Sequence, residues 1–143
     1  GGFALGLAMN GTGLAEVAVK SIPFGEFNPL VIMVISGLVC FALSNFISNT
    51  ATAALLIPIL SVVCAGMGDK LAEIGGTSTI LIGVAVAASC AMSLPISTPP
   101  NAIAYSTGLI QQTDMVKAGA TIGVICILIG YSMLVFFCRM GVL

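Results

Sequence analysis

Two short polar clusters interrupt two long runs that carry no charge. The first run spans Phe27 to Gly68, 42 residues, and its interruption is Ser44-Asn45-Phe46-Ile47-Ser48-Asn49-Thr50. The second spans Ile74 to Thr113, 40 residues, and is broken by Pro95-Ile96-Ser97-Thr98-Pro99-Pro100-Asn101. A helix broken at such a cluster exposes unpaired carbonyls at its finishing end and unpaired N–H groups at its new start. The carbonyls carry partial negative charge and suit a hard cation such as sodium; the N–H groups carry partial positive charge and suit an anion. Ser48 and Asn49 add side-chain oxygens and Thr50 adds a hydroxyl donor. Carbonyls near Pro95 to Ser97, followed by donors after Asn101, repeat the arrangement. A single Ser, Thr or Asn in an apolar helix most often only links helices. Two clusters at corresponding places of adjacent uncharged runs point instead to a binding site between broken segments.

The elements around the clusters follow from composition. The hydrophobic fraction is 59%, the charged fraction 6% and the mean hydropathy +1.21. A soluble domain carries about 25% charged residues, so the expected class is an all-α membrane protein. Four cations against five anions exclude a nucleic-acid partner and a polybasic lipid-binding face. There is no His, which excludes imidazole metal sites and His-based catalysis, and nothing indicates an enzyme. Cys40, Cys64, Cys90, Cys126 and Cys138 form no C-x-x-C pair and read as packing thiols in apolar runs. The chain starts at Gly1 without a charged leader and reads as the C-terminal piece of a longer protein.

Four segments are expected. Residues 1–26 are the end of a helix plus an amphipathic connecting helix, with Glu16 and Lys20 at i, i+4. Residues 27–68 hold two apolar arms, Leu30 to Leu43 and Ala51 to about Ala65, around a Ser-Asn-Thr tip. Each arm is short for a full span of about 20 residues. The spacing favours a re-entrant hairpin over two complete spans joined by an external loop. Residues 69–113 form a broken transmembrane helix. Ile80 to Leu94 is its first half, Pro95 onward breaks it, and Thr98 caps a second half that accepts Pro99 and Pro100 in its first turn. Residues 114–143 form the last span, whose uncharged part is Ala118 to Cys138; Gly119-x-x-x-Gly123 on it offers a close-packing face. Pro58, Ser61 and Ser89 read as structural. Every charge falls in a connection or at an end, so this piece offers no proton relay at membrane depth.

The stretch Ser48-Asn49-Thr50-Ala51-Thr52-Ala53-Ala54-Leu55-Leu56-Ile57-Pro58 resembles the second Ser-Asn-Thr signature of the divalent anion/sodium symporter family. The stretch Ala87 to Ile103, with Leu94-Pro95-Ile96-Ser97-Thr98-Pro99-Pro100-Asn101 at its centre, resembles the partner motif, and Gly1 to Leu5 the tail of a glycine-rich stretch upstream. The resemblance implies the second half of an inverted-repeat transporter, with a re-entrant hairpin and a broken helix moving together as an elevator. It implies a sodium ion held by Ser44, Ile47, Asn49 and Ser97: side-chain oxygens of Ser44 and Asn49, backbone carbonyls of Ile47 and Ser97. A substrate carboxylate would meet Asn49 and Thr50, with Thr98 and Pro99 shaping the same pocket. Implied partners are a small di- or tricarboxylate or sulfate, the lipid bilayer, the missing N-terminal repeat and a second copy in a homodimer. The implied location is a plasma or bacterial inner membrane. A sodium-independent anion exchanger, an oxyanion permease and a non-transporting membrane scaffold remain as alternatives. The absence of any basic residue near the breaks favours sodium coupling, because an uncompensated anion in a low-dielectric site is costly.

Overall fold

A computed structural model describes residues 11–13, 17 and 26–142. The described chain is all α, without a strand among the described residues, and it is an integral membrane protein by composition and span. Most of the expected segment 1–26, including the amphipathic helix with Glu16 and Lys20, lies outside the described residues.

Helix α1 (Pro29–Phe46) opens on Asn28, whose Oδ1 accepts from the Leu30 N–H at 2.9 Å, with Pro29 in the first turn where its missing donor costs nothing. It ends where Ile47 and Ser48 turn extended. Ser48 caps α2 (Asn49–Met67) by accepting from the Ala51 N–H at 3.2 Å. Two residues therefore join the arms. The break is shorter than the sequence suggested: Ser44, Asn45 and Phe46 belong to α1, and Asn49 already begins α2. Asn45 stays helical because its amide satisfies itself along the helix, Nδ2 donating to the Phe41 carbonyl at 2.9 Å.

A 3-10 helix (Gly68–Ile74) follows α2 and carries Asp69, Lys70 and Glu73. Gly75 and Gly76 then take φ of 83° and 84°, a pair of left-handed values that only glycine adopts without strain. Helix α3 (Thr77–Cys90) stops four residues before the expected Leu94. After an irregular stretch, Thr98 accepts from the Asn101 N–H at 3.4 Å and starts α4 (Pro99–Ser106), with both prolines in the first turn as expected. Helix α5 (Gln112–Arg139) is 28 residues long and takes Asp114 and Lys117 into its first turns, ahead of the uncharged part that begins at Ala118.

α3 is the centre of the packing. Met33 and Cys40 of α1 meet Ile80, Val84 and Ala87 of α3 in a closed core, with Leu60 and Cys64 of α2 beside them. α5 lies against α3 through small residues. A Cβ on Gly119 would sit 2.5 Å from the Met92 carbonyl oxygen, and one on Gly123 2.7 Å from that of Cys90. The Gly-x-x-x-Gly face is thus used inside the chain. Tyr131 reaches from α5 between α1 and α3, its hydroxyl donating to the Gly83 carbonyl at 3.0 Å with the Met33 carbonyl at 3.5 Å. Gly37 makes room, since a Cβ there would overlap that hydroxyl. The outer faces keep large apolar side chains exposed, among them Ile35, Leu38, Leu128, Ile129 and Phe136. α1, α2 with its 3-10 extension, and α5 are long and apolar enough to cross a bilayer. Such surfaces suit lipid, where an exposed apolar side chain carries no penalty.

Candidate functional site

The tip between α1 and α2 meets the irregular stretch between α3 and α4. The Asn49 N–H, in the first turn of α2, donates to the Ser97 carbonyl at 3.3 Å. The Ser97 hydroxyl returns a bond to the Asn45 carbonyl at 3.1 Å, and the Ser93 N–H donates to Asn45 Oδ1 at 3.0 Å. Asn101 closes the same stretch from the other side, Nδ2 donating to the carbonyls of Met92 at 2.7 Å and Leu94 at 3.2 Å. Backbone that would otherwise be unpaired away from water is satisfied by these two amides. They also explain the early end of α3: the groups beyond Cys90 have tertiary partners in place of helical ones.

The residues expected to bind fall into three sets. Asn49 and Ser97 are brought into direct contact. Ser44 is fully buried in the last turn of α1, its hydroxyl 3.9 Å from the Cys40 sulfur, and its neighbour Asn45 bonds Ser97. It does not lie in the break itself. Ile47 is the extended residue after α1; its N–H is spent on the Leu43 carbonyl at 2.9 Å, while its own carbonyl receives no hydrogen bond among the described residues. Thr50 and Pro99 are exposed, and Thr98 is half-buried as the cap of α4. The Asn49–Ser97 bond sets the first residue of α2 against the residue that precedes Thr98, the cap of α4. Asn45 and Asn101 were not singled out in the sequence, where they read only as members of polar clusters.

Two buried side-chain oxygens at this place have no hydrogen-bond partner among the described residues, Asn49 Oδ1 and Thr52 Oγ1. A native interior rarely leaves such atoms without a reason. Asn49 Oδ1 is a hard acceptor sealed from solvent; the same junction holds the Ile47 carbonyl, two residues earlier, and the Ser97 carbonyl, which takes the Asn49 N–H and has a second lone pair to offer. This donor set is all oxygen and suits an alkali or alkaline-earth cation rather than a soft metal. None of the oxygens in this set comes from a charged residue: among the described residues Glu26 precedes α1, Asp69, Lys70 and Glu73 are in the 3-10 helix, and Asp114, Lys117 and Arg139 are at the ends of α5. No group of His, Cys, Asp or Glu among the described residues could hold a transition metal.

Residues 2–142 match the transmembrane region of the sodium:sulfate symporters. The chain belongs to that family. It is 36% identical over 90% of its length to an uncharacterized transporter of Haemophilus influenzae, covering 27% of that protein. It is 32% identical over 90% of its length to the sodium-dependent dicarboxylate transporter SdcS of Staphylococcus saprophyticus, covering 24%. Against human solute carrier family 13 member 1 it is 37% identical over 87% of its length, covering 20%. The chain thus spans about a quarter of the length of these relatives, and the family is one of transporters and not enzymes. The resemblance to divalent anion/sodium symporters drawn from the two motifs is borne out.

Proposed function

We propose that this chain supplies one half of the binding site of a sodium-coupled transporter for a dicarboxylate, with Asn49 at its centre. The observation that carries the reading is the Asn49–Ser97 bond: it ties the start of α2 to the stretch that leads into α4, while Asn49 Oδ1 is buried without a partner among the described residues. The helix starts offer N–H dipoles worth about half a positive charge each, enough to orient a carboxylate but not to neutralise a dianion. Sodium supplies the missing charge. Ser44, the Ile47 carbonyl, Asn49 Oδ1 and the Ser97 carbonyl are the oxygens that would hold it. Asn49 and Thr50 would receive the carboxylate, with Thr98 and Pro99 forming the opposite wall.

The lengths of the elements support a site at membrane depth. α3 has 14 residues, about 21 Å at 1.5 Å per residue, against a hydrocarbon core of about 30 Å. A break reached after that distance, and the hairpin tip bonded to it, then lie inside the bilayer. The tip is read accordingly as re-entrant. The shared packing of α1, α2, α3 and α5 supports their movement as one elevator body against a scaffold in the remainder of the protein. That remainder would bring the matching repeat and a dimer contact, and the setting would be a plasma or bacterial inner membrane.

The test is uptake of labelled succinate by the full-length protein in proteoliposomes under an inward sodium gradient. Asn49→Asp and Thr50→Ala are expected to abolish uptake at normal expression. Unchanged uptake in both would reject the site. Full uptake with sodium replaced by choline would favour an exchanger, and preference for sulfate an oxyanion permease.

A further inference from the structure

Thr52 is fully buried in the first turns of α2, and its hydroxyl oxygen has no partner among the described residues. Four exposed helical hydroxyls in this chain spend their proton on a carbonyl one turn back, and the buried Ser44 and Thr79 hydroxyls each have a sulfur neighbour at 3.9 Å. Ser61 donates to the Ile57 carbonyl, Ser89 to Ala85, Thr121 to Lys117 and Ser132 to Leu128, each one turn back and at 2.6 to 2.8 Å. The equivalent acceptor for Thr52 is the Ser48 carbonyl, which takes the Thr52 N–H at 3.0 Å. The Thr52 hydroxyl makes no such bond and keeps its lone pairs free. It stands three residues after Asn49, a spacing that puts both side chains on one face of the helix, with Cβ atoms about 5–6 Å apart. Asn49 Oδ1 is the other orphaned buried oxygen. Two unpartnered oxygens therefore share one face of one helix turn.

We infer that the Thr52 hydroxyl is a further ligand of the cation held by Asn49 Oδ1, beyond the four oxygens assigned above. The inference rests on the sodium reading of the Asn49 site. A hard cation takes its ligands from oxygens and gains from each additional one. A hydroxyl that has not spent its lone pairs is a better ligand than one held in a back-bond. The ion in turn accounts for both orphaned atoms at once. A buried water bridging them is the competing occupant, and it predicts no link between Thr52 and sodium.

The experiment compares Thr52→Val, which keeps the shape and removes the oxygen, with Thr52→Ser, which keeps the oxygen. Full-length protein in detergent is titrated with sodium chloride against choline chloride at constant ionic strength, and the melting temperature is followed. The wild type is expected to gain stability with sodium. Thr52→Val is expected to need about tenfold more sodium for half the effect, with a sodium-free melting temperature equal to or above the wild type. Thr52→Ser is expected to keep the wild-type midpoint. An unchanged sodium midpoint in Thr52→Val overturns the assignment, and a lowered sodium-free melting temperature beside it marks the water. If Thr52→Val does not fold, Thr52→Ala against Thr52→Ser gives the same split. A wild type indifferent to sodium removes the underlying reading and this inference with it. A sodium response that Asn49→Ala loses and Thr52→Val keeps removes the inference alone.

Discussion

Asn45 Oδ1 accepts the Ser93 N–H at 3.0 Å across 48 residues of sequence. One side chain in the last turn of α1 thereby holds open a stretch of backbone that would otherwise prolong α3. Its own carbonyl holds a second point of that stretch through the Ser97 hydroxyl.

Asn45→Ala should leave the Ser93 N–H buried without a partner, at a cost of about 1–3 kcal/mol. Hydrogen exchange of the full-length protein should then accelerate over residues 91–97 and not in the middle of α5. Equal exchange in both proteins would show that Asn45 does not order the break.

Gly37→Ala should be poorly tolerated, because the new methyl would occupy the place of the Tyr131 hydroxyl. Expelling that ring from between α1 and α3 is expected to cost about 1–3 kcal/mol. Tyr131→Phe keeps the ring and loses only a hydrogen bond, about 0.6 kcal/mol in a membrane setting. Thermal unfolding should rank wild type, Tyr131→Phe and Gly37→Ala in falling order.

Two glycines of α5 should answer differently to the same change. A Cβ at Gly119 would meet backbone, the Met92 carbonyl and the Ser93 Cα, which cannot step aside. A Cβ at Gly130 would meet only a side-chain methyl, that of Val86 at 2.7 Å, which a small shift of that side chain relieves more readily than backbone can move. Gly119→Ala is expected to cost more than about 1 kcal/mol. Gly130→Ala should be near neutral, helped by the better helix propensity of alanine. Melting temperatures that fall equally would refute close approach of α5 to the break.

Ser48→Ala should lose the cap of α2 at a cost of about 1 kcal/mol, and Ser48→Gly only a few tenths. A larger loss in the glycine variant would mean that Ser48 acts through something other than the Ala51 N–H.

Much of this was legible in local chemistry. Thr98 before Pro99 and Pro100 is a helix start by capping and by the fixed φ of proline, and α4 begins there. Uncharged runs and small-residue spacing marked the spans and the Gly119–Gly123 contact. Element ends were not legible where tertiary bonds set them. Pro95 bars a helix from running through it but does not fix where before it α3 stops, and Asn45 and Asn101 take up the backbone from Met92 to Leu94 instead. In the other direction, Ser44 and Asn45 read as breakers, yet a helix keeps them when their polar atoms find partners. The isolation of the Thr52 hydroxyl has no sequence signal beyond its three-residue offset from Asn49.

Only Ile47 and Ser48 separate α1 from α2. Three peptide links allow the Cα atoms of Phe46 and Asn49 to separate by no more than about 11 Å. The two arms cannot part like scissor blades at this end. Any separation of the arms is therefore smallest beside Asn49 and largest at their far ends, where Asn28 and Gly68 lie.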